Sequence, residues 1–240
     1  MKVIRLDHNR LSTLHKGTLR HQIKVHRIDL SSNRLLELQP GCFGNGNVLE
    51  MILMDNDLER VPTALNRLSR LEASHFSGLS NLSQLLLNSN RIRTIENGAF
   101  GAVSSLEALD LSDNPVSNWD PLDFRGLSLS LKSLNLAGTG LYSMVLLRSG
   151  SLSALNLSNN NIVELTAADV APLTKLSHLD VSFNRLQRFV VSTGALHNLQ
   201  HLNLSGNQIG TVLSKLELSG NELRCDCTSL NWLPSWLRHL

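Results

Sequence analysis

Residues 176–189 read LSHLDVSFNRLQRF, and their pattern, L-x-x-L-x-L-x-x-N-x-L-x-x-L, decides the fold. Leu179 and Val181 alternate with polar residues as in a short β-strand, which buries every second side chain. The polar side chains of this strand are expected to point outward: His178, Asp180 and Ser182. One copy of the pattern cannot bury its own apolar side chains, so we expect copies to stack with their strands side by side.

The pattern recurs at intervals of about 24 residues, within the range of leucine-rich repeats. Its Asn falls at Asn9, Asn33, Asn56, Asn90, Asn114, Asn160, Asn184, Asn207 and Asn221, with Thr139 in one copy. An Asn amide inside a bend can both donate and accept, so this ladder is expected to satisfy backbone groups that the turn leaves unpaired. The sequence predicts a leucine-rich-repeat solenoid, a horseshoe with a parallel β-sheet on its concave face and mostly irregular convex segments.

Two intervals depart from this spacing. Asn56 and Asn90 are 34 residues apart, whereas Asn207 and Asn221 are 14 apart. We interpret each as one repeat that has lost about ten or more residues, because neither interval matches a whole number of repeats. A misassembled gene model is favoured over a splice variant or a genuine local distortion.

The predicted domains follow from the repeats. A solenoid of about ten repeats covers residues 1–221, with irregular stretches near 57–80 and 208–221. A cysteine-containing flank follows at 222–240. Four Phe residues shortly before new strands predict an aromatic spine on the convex side: Phe43, Phe76, Phe100 and Phe124.

Composition excludes few classes of function. With 22 basic and 20 acidic residues, the net charge of +2 gives no reason to expect nucleic acid or an anionic membrane as partner. No apolar run reaches the roughly 18 residues of a membrane-spanning helix, so membrane attachment is expected only through parts of a longer protein. No phosphate-binding loop, nucleophile elbow or zinc-protease motif is present, and we expect no catalysis, cofactor or metal.

These repeats resemble the typical leucine-rich repeats of animal extracellular proteins, the group that includes Slit, Toll receptors, connectin and chaoptin. Residues 221–237, NELRCDCTSLNWLPSWL, resemble the start of the cysteine-rich C-terminal flank of that group. The resemblance implies that Cys225 and Cys227 each pair with a later cysteine, and that Trp232 and Trp236 belong to a capping helix. Both later cysteines are missing, so we interpret the flank as truncated. A metal-binding Cys-x-Cys remains the alternative.

Binding residues are expected on the exposed strand positions. One exposed column reads Arg5, Asp29, Ile52, Leu86, Asp110, Asn135, Asn156, Asp180, Asn203 and Glu217. Within it, Ile52 and Leu86, with Met54, predict an apolar patch, although partial burial would also explain them. An outward Asp180 is expected to contribute little to folding.

Two further clusters have both a functional and an ordinary explanation. His178 and His201, from adjacent repeats and about 5 Å apart, could form a metal or pH-sensitive site with Asp180, or be plain surface residues. The basic segment 15–27 could contact sulfated glycans or an acidic partner, or be a solvated loop. The binding candidates are thus Ile52, Met54, Leu86, Asp110, His178, Asp180, His201 and Asn203.

Three N-x-Ser sequons, at Asn81, Asn156 and Asn203, are candidate glycosylation sites in a secreted protein. An L-N-L-S strand also creates a sequon by accident.

The sequence predicts an extracellular or cell-surface recognition module of an adhesion or receptor protein, which binds a protein ligand or cell-surface receptor through the concave face. The alternative is an intracellular leucine-rich-repeat scaffold or regulatory subunit with reduced cysteines. A third possibility is an enzyme whose catalytic domain lies elsewhere in a longer protein. A signal peptide with two further cysteines favours the first, and an added catalytic domain favours the third.

Overall fold

The computed structural model describes residues 2–19, 21, 24–43, 47–58, 70–71, 73–117, 119, 127, 129–144, 149–190 and 196–209. These residues belong to two compact units, Met1–Leu131 and Lys132–Leu240. In each unit the chain winds in coils, and each coil adds one short strand to a parallel sheet. Within the described residues, no helix combines the length and the apolar character needed to cross a bilayer.

The first unit consists mainly of short strands joined by turns. Its elements are β1 (Val3–Arg5), β2 (Thr13–Leu14), β3 (Arg27–Asp29), β4 (Glu37–Leu38), β5 (Glu50–Ile52), β6 (Arg70–Leu71), a 3-10 helix (Ala73–Phe76), β7 (Gln84–Leu86), β8 (Thr94–Ile95) and β9 (Ala108–Asp110). The parallel sheet has the order β1-β3-β5-β7-β9. Two small parallel pairs, β2 with β4 and β6 with β8, follow the turns after the sheet strands.

The second unit repeats this arrangement. Its elements are β10 (Ser133–Asn135), β11 (Ala154–Asn156), β12 (Glu164–Thr166), α1 (Ala167–Val170), β13 (His178–Asp180), β14 (Arg188–Val190) and β15 (His201–Asn203). The sheet has the order β10-β11-β13-β15, and β12 pairs with β14. At the start of α1, the Asp169 carboxylate accepts hydrogen bonds from the backbone N–H and Oγ1 of Thr166, which satisfies a donor at the helix N-terminus.

The core is built from the same positions in every coil. The middle residue of each sheet strand points inward, as Ile28, Met51 and Leu85 do in the first unit, and these side chains are buried. Backbone hydrogen bonds join successive coils, for example from Leu53 N–H to the Leu86 carbonyl at 2.8 Å. The predicted repeat solenoid with a parallel sheet is therefore confirmed.

The long interval between Asn56 and Asn90 adds no strand to the sheet, because β5 pairs directly with β7. In regular coils the second strand begins four residues after the ladder Asn, as β8 does after Asn90. β6 begins fourteen residues after Asn56, so ten extra residues lie between this Asn and β6. The interval is therefore one coil with an insertion, and the interpretation of it as a repeat that has lost residues is wrong. Residues 59–69 lie outside the described part of the chain.

Three of the four Phe residues expected in an aromatic spine are buried: Phe43, Phe76 and Phe100. The rings of Phe76 and Phe100 stack with their centroids 6.0 Å apart and an interplanar angle of 23°. Phe124 lies outside the described residues.

Candidate functional site

The inner Asn ladder holds each turn to the coil before it. The Asn184 amide nitrogen donates to the carbonyls of Val181 in its own coil and Leu157 in the preceding one, at 3.0 and 2.8 Å. Its oxygen accepts the Ile162 N–H at 3.0 Å. One buried amide therefore satisfies backbone groups of two coils.

Other ladder residues repeat this geometry. Bonds of this kind from the amide to two coils occur at Asn33, Asn56, Asn90, Asn114, Asn160 and Asn207. Asn9 is exposed and donates to the carbonyls of Leu6 and Asp7 within its own coil. Thr139 substitutes in part, since its Oγ1 donates to the Leu136 carbonyl at 2.8 Å. Asn221 lies outside the described residues.

Within the described residues, the residue before each ladder position adopts a left-handed conformation. Small or polar residues occupy it in most coils, with φ near +55° at Ser89 and Asp113 and glycine at Gly138 and Gly206. Phe183 is the exception, with φ of 53° and 60% of its surface exposed. A bulky residue in this region is strained. Its ring lies against the next coil, because a Cβ on Gly206 would be 2.6 Å from Phe183 Cδ1.

The first and third residues of each sheet strand form the outward face. In the first unit the register aligns Arg5, Asp29, Ile52, Leu86 and Asp110 in one column. In the second unit it aligns Asn135, Asn156, Asp180 and Asn203. These columns hold most of the expected binding residues. Glu217 lies outside the described residues.

Acidic and amide side chains of these columns close the following turn, a role that sequence reasoning missed. Asp180 Oδ1 accepts the backbone N–H and the Oγ of Ser182, at 2.8 and 2.6 Å, and Asp180 Oδ2 accepts from Asn203 Nδ2 at 3.0 Å. Ser182 is consequently buried, although its place in the pattern suggested an outward, exposed residue. These hydrogen bonds indicate that Asp180 supports the turn, in contrast to the expectation that it contributes little to folding. The signal was visible as Asp or Asn two residues before Ser.

The same side-chain turn occurs in both units. Oδ1 of the strand residue accepts the N–H two residues later in the pairs Asp29–Ser31, Asp110–Ser112, Asn135–Ala137, Asn156–Ser158 and Asn203–Ser205. Asp110, Asp180 and Asn203 are thus structural residues as well as binding candidates.

The apolar candidates lie together on β5 and the residues around it. Ile52 is aligned with Leu86, and Met54 follows β5. The expectation that Ile52 is exposed is wrong, because only 5% of its surface is exposed. A neighbouring strand lies about 4.8 Å away on each side of β5 and limits the exposure of Ile52. Met54 and Leu86 are partly exposed.

A charged cluster that sequence reasoning missed borders these residues. Arg27 Nη1 donates to both carboxylate oxygens of Glu50, at 2.8 and 2.9 Å, and Arg27 Nη2 lies 3.8 Å from Asp29 Oδ2. Arg27 belongs to β3, so the basic segment 15–27 is not one continuous loop. Four of its basic residues are exposed outside the sheet: His15, Lys16, His21 and Lys24.

The two candidate histidines stack on each other. The rings of His178 and His201 have centroids 4.2 Å apart and an interplanar angle of 13°. His178 Nδ1 lies 2.9 Å from Ser177 Oγ. Desolvation, followed by the charge of His201, lowers the pKa of His178 below its ordinary value. Within the described residues, no group of three or more His, Cys, Asp or Glu side chains is arranged to hold a metal ion.

The cysteine and sequon candidates differ in their surroundings. Burial raises the pKa of the Cys42 thiol to about 12, which makes it unreactive at neutral pH. Cys225 and Cys227 lie outside the described residues. Asn81 is exposed and donates to Asn47 Oδ1, whereas Asn156 and Asn203 are half-buried sheet residues.

The leucine-rich-repeat family model matches residues 1–58, 64–116 and 84–141, more than half of the chain, and a second leucine-rich-repeat model matches residues 195–212. The chain belongs to the leucine-rich-repeat family.

Relatives of this leucine-rich-repeat chain include an activator of a growth factor and a receptor. It is 26% identical to the transforming growth factor beta activator LRRC33 of Danio rerio, over 89% of this chain and 33% of that protein. It is 28% identical to Toll-like receptor 3 of Boselaphus tragocamelus, over 87% of this chain and 28% of the receptor. The solved glycosylated Toll–Spatzle complex of Drosophila matches 99% of this chain and 30% of that one, with a TM-score of 0.71 and 28% identity. The chain spans about a third of the length of these relatives.

These findings confirm the resemblance to extracellular leucine-rich-repeat proteins. Leucine-rich repeats are typically binding scaffolds. One relative is nevertheless an adenylate cyclase, of Schizosaccharomyces pombe, 29% identical over 60% of this chain and 10% of that enzyme. The TLR13–ssRNA13 complex shares the fold, with a TM-score of 0.63 and 23% identity, over 94% of this chain and 30% of that one. The exclusion of nucleic acid therefore stays a prediction.

Proposed function

We propose that this chain is a recognition module of a secreted or cell-surface leucine-rich-repeat protein and that it binds a protein ligand through the outward face. The observation that carries the proposal is a contrast within each coil. Inward strand positions repeat one chemistry, with Ile28, Met51 and Leu85 all buried. By contrast, the first, outward residue of each strand changes from coil to coil, as from Arg27 to Glu50 to Gln84. A rigid scaffold that displays varied side chains is suited to selective binding at little entropic cost.

Two of the similar proteins support this class of partner. One is a receptor by name, and the Toll structure is a complex with Spatzle. An extracellular protein ligand also agrees with a nearly balanced charge, which offers no extended field for a polyanion. Signal transduction or adhesion would then depend on the remainder of a longer protein.

Glycosylation and disulfides follow from the same proposal. In secreted material we expect a glycan on exposed Asn81 rather than on Asn203, because Asn203 Nδ2 donates to Asp180 and its Oδ1 accepts from Ser205. Cys225 and Cys227 should pair with downstream cysteines in a longer secreted form. Mass mapping that finds both thiols free and Asn81 unmodified in secreted protein would favour the intracellular scaffold.

The binding test uses the chain secreted from animal cells and an array of immobilised extracellular domains. We expect a discrete protein binder that is lost when the outward face is changed by Gln84→Arg or Ala154→Arg. The matched controls, Ser105→Arg and Thr174→Arg, change exposed residues outside the sheet strands and should keep binding. Loss in the controls with retention in both outward variants would contradict binding through the outward face.

A further inference from the structure

We infer that the outward face of β5 and β7 is a docking site for a protein ligand that presents an apolar side chain beside Lys or Arg. The inference rests on the proposed function and names the location and the partner chemistry. All of its residues belong to the first unit.

The first observation is a local departure from the side-chain turn. Six sheet strands end in an Asp or Asn that accepts the backbone N–H two residues later. β1 ends in the charged Arg5, whereas the neighbouring strands β5 and β7 end in Ile52 and Leu86. Neither aliphatic side chain can accept a hydrogen bond, so these two coils lack this support for their turns.

The second observation is that some apolar side chains at and after these strand ends are not fully buried. Ile52 is buried, but Leu86 and Met54 remain partly exposed. The other sheet strands carry polar residues at the column of Ile52 and Leu86. Two adjacent coils thus give up a turn-closing side chain and display apolar surface instead. Apolar patches with a polar rim are typical of protein-binding surfaces.

The third observation is the charge around the patch. Two exposed carboxylates, Asp55 and Asp113, lie in the turns three residues after β5 and β9, the two strands next to β7. The cation of the bordering strand, Arg27, is already held by Glu50 at 2.8 Å. A ligand with Lys or Arg beside its apolar anchor would therefore meet complementary charge, whereas an acidic ligand would be repelled.

The stability test introduces the hydrogen-bonding side chain that the turn after β7 lacks. Leu86→Asn combined with Asn88→Ser copies the Asn156–Ser158 pair of the second unit and adds no charge beside Asp110. We expect this variant to unfold at the same or a higher urea concentration than the wild type, because Leu86 gives up exposed apolar surface and the turn gains an acceptor. Lower stability would contradict the argument that apolar surface replaces turn support. Leu86→Ala provides a second variant that removes the anchor without adding a polar group.

The binding probe is a displayed library of random peptides. The wild type should enrich peptides with an aliphatic or aromatic residue next to Lys or Arg, and both Leu86 variants should reduce that enrichment about tenfold, as expected for an interface anchor. Ala154→Ser, in the second unit, is the control that keeps it. The docking-site proposal would be wrong if the wild type enriched acidic peptides or enriched none. It would also be wrong if both Leu86 variants enriched the same peptides as strongly as the wild type.

The two proposals can fail separately. If the array binder is lost with Ala154→Arg but kept by both Leu86 variants, binding through the outward face stands and the docking site on β5 and β7 is wrong. If no extracellular binder is found and the library shows no enrichment, both proposals are wrong.

Discussion

The Asp180 carboxylate accepts two hydrogen bonds from Ser182, from its backbone N–H at 2.8 Å and from its Oγ at 2.6 Å. The same pairing joins Asp29 to Ser31. These coils are closed by two polar residues, an inner Asn that links coils and an outer Asp that holds the turn. Outward residues of this protein therefore contribute to folding as well as to the displayed surface.

Replacing Asp180 should show how much this outward residue contributes to folding. Asp180→Ala removes the acceptor for Ser182 and Asn203, and we expect it to lower the free energy of unfolding by about 1–3 kcal/mol. Asp180→Asn keeps an amide oxygen, as Asn203 does in the next coil, and should lose much less. Urea denaturation measures both. Equal stability of Asp180→Ala and the wild type would contradict the structural role.

The inner ladder should also contribute to stability. Asn184→Ala leaves the Ile162 N–H and the Leu157 and Val181 carbonyls without this partner, and we expect a loss of about 1–3 kcal/mol. Asn97→Ala, at an exposed position, is the matched control. The ladder argument fails if the two variants have the same urea midpoint.

Phe183 should be a site where substitution stabilises the protein. Phe183→Asn copies Asn159, which has the same left-handed conformation with φ of 55°. Because Asn tolerates this region better than Phe, we expect a gain of up to about 1 kcal/mol in thermal or urea unfolding. Gly206→Ala should destabilise the wild type more than the Phe183→Asn variant, since its new Cβ meets the Phe183 ring. A loss of stability in Phe183→Asn would mean that the ring contact outweighs the backbone strain.

The stacked histidines should make stability depend on pH. Desolvation and His201 lower the pKa of His178, so the unfolded chain binds a proton more readily than the folded chain. The free energy of unfolding should therefore decrease as the pH falls below about 6.5, the ordinary pKa of histidine. The groups around the pair are Ser177, Asp180 and Asn203. His178→Asn should reduce this decrease relative to wild type, and an unchanged pH profile would contradict it.

The fold and the ladder could be predicted from sequence because they use one residue type at one spacing. Asn184 and its equivalents stand out for this reason, and so do the buried strand residues such as Leu179. The turn-closing role of Asp180 was missed because its side chain was treated as free once it pointed outward. The Asp or Asn two residues before Ser was the available signal.

Other features depend on packing that a pattern cannot specify. Ile52 occupies an outward position yet is buried, because exposure depends on the side chains of both neighbouring strands. The position of the ten extra residues after Asn56 became clear only from the pairing of β5 with β7 and of β6 with β8. The ion pair between Arg27 and Glu50 required the register of adjacent strands.

Hydroxyl-radical footprinting of the chain with its array-identified extracellular binder tests binding through the outward face most directly. We expect ligand to reduce oxidation of outward residues in at least one unit, Met54 and Leu86 in the first or His178 and His201 in the second. Oxidation of Leu129 and Tyr142, which are 91% and 73% exposed outside the sheet strands, should not change. Protection of Leu129 and Tyr142 with unchanged oxidation of all four outward residues would contradict the account.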